Sequence, residues 1–304
     1  MKKDLTKLLD LTKQDILDIL NLADQMKYNL KHGREHKLLQ GKTLAMIFQK
    51  ASTRTRVSFE TGMYQLGGQA LCLHAHDLQI GRGEPVEDTA RVLSRYVDGI
   101  MIRTFAQAEV ESLAKWASIP VINGLTDFEH PCQVLADLMT IREHLSALEG
   151  VKLCYIGDGN NMCNSLIVGG LTVGMTVAVA VPEGYDPAPE VMSFAKQYSG
   201  AFSLTRAPSE AAQAADVLVT DVWASMGQES EAQARRAAFA GYQINAELMS
   251  LANPRAMVQH CLPAHRGEEI TADVFETHAG EIFDEAENRL HAQKAVMALL
   301  MGGK

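Results

Sequence analysis

Apolar residues recur at helical spacing through residues 13–31, at Ile16, Ile19, Leu20, Leu22, Ala23 and Met26. A stripe at three- and four-residue intervals predicts an amphipathic helix. The next apolar segment, 43–48, has a different character. Thr-Leu-Ala-Met-Ile-Phe is short and almost uninterrupted, as a strand buried on both faces requires. Helical spacing returns from 57 to 66 and is halted by Gly67-Gly68. The same alternation predicts strands at 71–74, 99–103 and 120–123, with helices at 86–97 and 110–117. A long helix is predicted over 131–148, with Pro131 in its first turn, where a missing N–H costs nothing.

Beyond residue 150 the pattern restarts. Strands are predicted at 152–156, 176–181, 202–205, 217–220 and 256–259, and helices at 161–171, 189–198 and 210–215. Residues 228–252 read as helical in two pieces, 275–277 as a helix end, 281–283 as a short strand and 286–301 as a final helix. Strands alternating with helices imply an α/β fold with mostly parallel sheets. The chain thus reads as two α/β domains in series, meeting near 147–150 without a low-complexity linker. Each is expected to be a mostly parallel sheet flanked by helices, the two joined by long helices around a central cleft. Ligands of such sheets bind beyond the carboxyl ends of the strands. The segments directly after strands are therefore the ones that matter.

Composition narrows the partners. The 304 residues suit two domains of roughly 150 each. A net charge of −9 argues against nucleic acid, whose phosphates demand a basic face, but leaves room for a small anion in a local positive pocket. The five cysteines, Cys72, Cys132, Cys154, Cys163 and Cys261, show no C-x-x-C spacing, so neither a disulfide framework nor a zinc site is indicated. Reduced thiols in a cytoplasmic protein fit that pattern. Charged residues break the first apolar run at once, so no signal peptide is expected. The stretch 166–181 is interrupted by glycines and does not read as a membrane span.

Ser52-Thr53-Arg54-Thr55-Arg56 follows the 43–48 strand and opens a helix. Free backbone N–H groups, the positive end of the helix dipole, three hydroxyls and two guanidiniums there favour a phosphate. The G-x-x-x-x-G-K pattern of a nucleotide loop is missing, which points to a small phosphorylated molecule. Arg103 ends the 99–103 strand. His130-Pro131-Cys132-Gln133 opens the long helix, where the dipole keeps an imidazole uncharged and its N–H and the Gln amide can reach a carbonyl. Gly157-Asp158-Gly159-Asn160-Asn161 follows the first strand of the second unit. Met162 stands where a dinucleotide fingerprint needs its third glycine, so the two asparagines suit a carboxylate or carbonyl oxygen instead. Asp221 begins Asp-Val-Trp-Ala-Ser-Met-Gly, and its carboxylate can pair with an ammonium group.

His260-Cys261-Leu262-Pro263 follows the next strand. A thiol beside a histidine suggests a nucleophile, but strand neighbours point to opposite faces. Cys261 with Asp221 could instead hold and deprotonate an amine. Each segment taken singly has an ordinary alternative: an N-cap with surface arginines, a solvated strand-end arginine, a capping histidine, a turn-capping aspartate.

STRTR, HPCQ, GDGNN, DVWASMGQE, HCLP and EAENR, in that order, resemble the aspartate/ornithine carbamoyltransferase family over essentially the whole chain. The Ser-Met-Gly loop and HCLP point to its ornithine branch, and HCLPAHRGEE is similar to the anabolic bacterial members. The resemblance implies transfer of the carbamoyl group from carbamoyl phosphate to the δ-amine of L-ornithine, giving L-citrulline and phosphate for arginine biosynthesis. It implies no metal and no cofactor. Residues 1–147 would be the carbamoyl-phosphate-binding domain, with helix 286–304 packing back on it, and 148–285 the ornithine-binding domain. Ser52, Thr53, Arg54 and Thr55 would hold the phosphate with Arg103. His130 and Gln133 would hold the carbamoyl end, joined by Arg289 and the backbone around Cys261 and Leu262. Thr55, Arg103, His130 and Cys261 would be the catalytic set. Asn161, Asp221, Ser225 and Met226 would bind ornithine.

Gln79 would reach a neighbouring subunit's site, which implies a homo-oligomer, at least a trimer. The Leu262–Pro263 bond would be cis. One departure stands out: the family usually carries Glu where this chain has Gln49, which would orient an arginine of the phosphate loop through a weaker, uncharged hydrogen bond. Two rival expectations are a carbamoyltransferase for a related amine and a non-catalytic, hinged binding protein.

Overall fold

A computed structural model describes residues 3–74, 78–79, 83–224 and 229–302. The chain divides into two compact units, one of residues 1–139 with 288–304 and the other of residues 140–287. Each is built on a wholly parallel sheet.

In the first unit the strands are β1 (Thr43–Phe48), β2 (Gln69–His74), β3 (Gly99–Arg103) and β4 (Val121–Leu125), in the order β2-β1-β3-β4. The central strands are buried almost end to end, whereas edge strand β2 has no fully buried position. Helix α1 (Lys13–Lys31) coincides with the predicted stripe and buries Ile16, Ile19, Leu20, Ala23 and Met26. At roughly 1.5–3 kcal/mol for each large side chain, that face rather than helix propensity anchors it. A capping box starts it: Thr12 Oγ1 accepts the Asp15 N–H, and the Asp15 carboxylate accepts the Thr12 N–H. Helices α2 (Thr53–Gln65), α3 (Val86–Leu93), α4 (Gln107–Trp116) and α5 (Pro131–Leu145) follow in chain order. Helix α3 is shorter than predicted, and α5 ends at Leu145, where Ser146 turns to a φ of 61°.

In the second unit β5 (Lys152–Ile156), β6 (Thr176–Ala180), β7 (Phe202–Thr205), β8 (Val217–Thr220) and β9 (Met257–His260) order as β7-β6-β5-β8-β9. Helices α6 (Asn161–Val173), α7 (Pro189–Ala195), α8 (Pro208–Ala212), α9 (Ala232–Ala238), α10 (Ala246–Leu251), α11 (Ala272–Thr277) and α12 (Ala279–Met301) accompany them. The expected strand at 281–283 is helical. Ile282, Glu285 and Arg289 recur at helical spacing and are all buried, and the Glu281 carboxylate accepts the Val258 N–H at 2.9 Å. The final helix therefore starts at Ala279 rather than 286.

The last part of α12 belongs to the first unit and packs along α2. Gly62 permits the approach: a Cβ there would lie 2.8 Å from Met297 Cε. Lys294 Nζ reaches Gln65 Oε1 at 2.9 Å, and Ser58 meets Gln293. Among the described residues no helix is long and apolar enough to cross a membrane.

Candidate active site

Because each sheet is parallel, its strand ends lie along one edge. In the first unit, Phe48 pairs with Arg103 and Arg103 with Leu125, so β1, β3 and β4 finish together. The β3–β4 register shifts between Ile102 and Arg103, an irregularity of the kind that re-aims a side chain. Ser52 is the N-cap of α2, its Oγ accepting the Thr55 N–H at 3.1 Å, which leaves its hydroxyl proton available to donate. The cap reading and the anion reading thus coexist in one residue. Thr55, Arg103, His130 and Gln133 are all buried.

Arg289 joins them: Nη1 donates to Gln133 Oε1 at 2.7 Å and Nη2 to Thr55 Oγ1 at 3.2 Å. Gln133 Nε2 also donates to Asp137 at 2.8 Å. Burial, then the charges of Arg289, Arg103 and Arg54, hold the His130 pKa well below its usual 6.5. The imidazole is therefore neutral near pH 7, and the three guanidiniums that act on it form one positive region. Arg56 turns away into an exposed ion pair with Glu60 at 3.0 Å. Gln79 is exposed, and its carbonyl accepts the Glu84 N–H at 3.1 Å.

In the second unit, Thr220 pairs with His260, so Asp221 and Cys261 are neighbours across two strand ends. Cys261 Sγ donates to Asp221 Oδ1 at 3.1 Å. The same oxygen accepts the Val222 N–H at 2.8 Å, and Oδ2 accepts Asn160 Nδ2 at 2.9 Å. Asn160 is held in turn as the N-cap of α6, its Oδ1 accepting from Met162 and Cys163. Asn161 opens α6 beside it, half-buried. Gly159 is glycine for packing: a Cβ would sit 2.3 Å from the Tyr185 carbonyl oxygen.

His260 faces away from the thiol chemistry. Its Nε2 bonds Glu269 Oε1 at 3.0 Å, and its Nδ1 accepts the Leu262 N–H at 2.9 Å, which fixes the Nε2–H tautomer. Leu262 has a φ of 59° and its bond to Pro263 is cis. Asp158 lies in a buried ion pair with Arg235 at 2.8 Å, and the same nitrogen donates to the Trp223 carbonyl at 2.9 Å. Among the described residues, His265, Glu268 and Glu269 bring potential ligand atoms within 4.8 Å of one another, but Glu268 is bound to Arg236 and Glu269 to His260. Ser225 and Met226 lie outside the described residues.

Asn160 was singled out in the sequence only as half of the Asn160-Asn161 doublet, and Arg235 carried no signal there.

The profile of the aspartate/ornithine carbamoyltransferase carbamoyl-P binding domain matches residues 3–143, and that of the Asp/Orn binding domain matches 149–300. The chain is 56% identical over 305 residues to the ornithine carbamoyltransferase of Thermococcus kodakarensis, covering 99% of this chain and 97% of that one. It is equally identical to the anabolic ornithine carbamoyltransferase of Pyrococcus furiosus, with the same coverage of both chains. Among solved structures, the P. furiosus enzyme superposes with a TM-score of 0.94 at 55% identity, covering 99% and 97% of the two chains. The anabolic enzyme of Campylobacter jejuni gives 0.92 at 43% identity, covering 99% of each. The chain belongs to the aspartate/ornithine carbamoyltransferase family.

Proposed function

We propose that this protein transfers the carbamoyl group of carbamoyl phosphate to the δ-amine of L-ornithine, giving L-citrulline and phosphate, as a step of arginine biosynthesis. The observation that carries the reading is the buried cluster at the first sheet edge: Arg289 bonds Gln133 and Thr55 beside buried Arg103 and His130, and burial with the nearby guanidiniums lowers the His130 pKa, so its imidazole is suited to donate a hydrogen bond to a carbonyl beside a bound phosphate. The ornithine preference is supported by full-length likeness to enzymes of that name. Residues 1–147 with 286–304 are assigned to carbamoyl phosphate and 148–285 to ornithine.

Ser52, Thr53, Arg54 and Thr55 grip the phosphate with Arg103. His130 and Gln133 hold the carbamoyl end, aided by Arg289 and the backbone at Cys261 and Leu262. Asp221 orients the α-ammonium of ornithine, Cys261 lies near its δ-amine, and Asn161, Ser225 and Met226 complete that site. The neutral δ-amine attacks the carbamoyl carbon. A C–N bond forms, the C–O bond to phosphate breaks, and phosphate leaves with the bonding pair and takes up the proton that the amine gives up. Charge that develops on the carbonyl oxygen meets Thr55, Arg103 and His130. One such donor is typically worth about 3 kcal/mol of barrier. The working form is read as a cytoplasmic homotrimer, with Gln79 reaching the adjacent subunit's phosphate site.

The deciding experiment is a citrulline assay with ornithine and carbamoyl phosphate. Citrulline formed in step with phosphate is the expected result. Phosphate release without citrulline overturns the assignment.

A further inference from the structure

The strand ends that carry the phosphate grip are fastened together by a second ring of polar groups. Gln49 follows β1 and Thr104 follows β3. The Gln49 N–H donates to the Arg103 carbonyl at 2.9 Å, which extends the β1–β3 pairing one step beyond Phe48 and Arg103. Side chains close the same junction, where Gln49 meets Glu109 and Thr104 and not, as expected from the sequence, an arginine of the phosphate loop. Gln49 Nε2 donates to Glu109 Oε1, and Thr104 Oγ1 donates to Glu109 Oε2 and stands 2.9 Å from Gln49 Oε1. Thr104 is fully buried, and the other two are half-buried. Lys50 extends the rim towards β4 through an ion pair with Asp127, its ammonium lying 4.3 Å from the centre of the Phe105 ring.

Glu109 lies in the first turn of α4, where the helix dipole favours any negative charge. A dipole role alone leaves the carboxylate's partners arbitrary. Here each oxygen has a distinct donor, and those donors flank the two anion grips. One is three residues before Ser52, and the other directly follows Arg103. Hydrogen bonds to a carboxylate are stronger than neutral ones and hold geometry better.

We propose that Glu109 is a positioning residue for the phosphate site: by joining Gln49 to Thr104 it fixes the spacing between the Ser52–Arg54 turn and Arg103. The inference rests on the carbamoyl-phosphate reading above.

The test is an exchange. Gln49→Glu sets two carboxylates face to face, Glu109→Gln leaves two amides, and the double exchange Gln49→Glu/Glu109→Gln restores one carboxylate and one amide. The KM for carbamoyl phosphate and the inhibition constant for inorganic phosphate should rise about 20-fold in the first and about fivefold in the second. In the double exchange both constants return to within about twofold of native. The ornithine KM, measured at saturating carbamoyl phosphate, stays within about twofold throughout. A general loosening of the fold has no reason to separate the two substrates.

Unchanged phosphate constants in both single variants, equal rises for both substrates, or a double exchange no better than the worse single would each overturn the proposal. Should Gln49→Glu fail to fold, Glu109→Gln and the double exchange decide. Native protein that makes no citrulline defeats the underlying reading. Native activity with unmoved variants defeats only the role given to Glu109.

Discussion

The two sheet edges carry opposite charge but share one way of holding it. In the first unit, Arg289 is held by the Gln133 amide oxygen and the Thr55 hydroxyl. In the second, Asp221 is held by a backbone N–H, the Asn160 amide and the Cys261 thiol. Neutral groups such as these fix the direction in which a charge points without themselves adding an opposite charge. Charges elsewhere are treated differently: Arg235 is spent on Asp158 and Arg56 on Glu60. A buried pair of opposite charges such as Arg235 with Asp158 serves the fold.

Four substitutions probe this contrast, from the largest effect down. Arg54→Ala should lower kcat/KM for carbamoyl phosphate by about 10³-fold while thermal unfolding stays near native. Normal saturation with carbamoyl phosphate in that variant would remove Arg54 from the site. Arg235→Met should do the reverse. It strands the buried Asp158 carboxylate, so stability in urea should drop by about 3 kcal/mol. A native unfolding midpoint would show the pair to be expendable.

Asp221→Asn keeps the shape but removes the charge. It should cut kcat/KM for ornithine about 100-fold and leave phosphate inhibition within about threefold. An unchanged ornithine dependence contradicts the placement of Asp221.

The smallest effect concerns His130. Its pKa is depressed in the folded state, so below about 6.5 the unfolded chain binds a proton that the folded one resists. This contribution is fully present above that pH and is lost as pH falls. The difference in unfolding free energy between native and His130→Gln should therefore be constant above neutrality and shift against the native protein towards pH 5. A difference flat across the range would mean that His130 titrates normally.

Short buried strands were legible because apolar runs such as 43–48 and 99–103 stop at polar turns. Helix α1 was legible because its stripe is long. The 281–283 fragment misled because so short an apolar piece has no period, and its helical partners Glu285 and Arg289 are polar. At the candidate site, the residues following strands could be picked out from topology alone. Their supports could not. Asn160 reaches Asp221 across 61 positions and Gln49 reaches Glu109 across 60, and pairing at that range leaves no spacing signal. Asp221 and Cys261 were suspected as a pair only because both follow strands, and adjacency of β8 and β9 is what joins them.

The return of α12 to α2 bears on how the chain is made. Residues 140–287 form a contiguous unit that is whole as soon as it has emerged from the ribosome. The first unit is not, since it needs residues 288–304, and with them Arg289 for Thr55 and Gln133. That segment arrives roughly 150 residues after the rest of its unit, on the order of ten seconds at ordinary elongation rates. The amino-terminal unit, though synthesised first, is completed last.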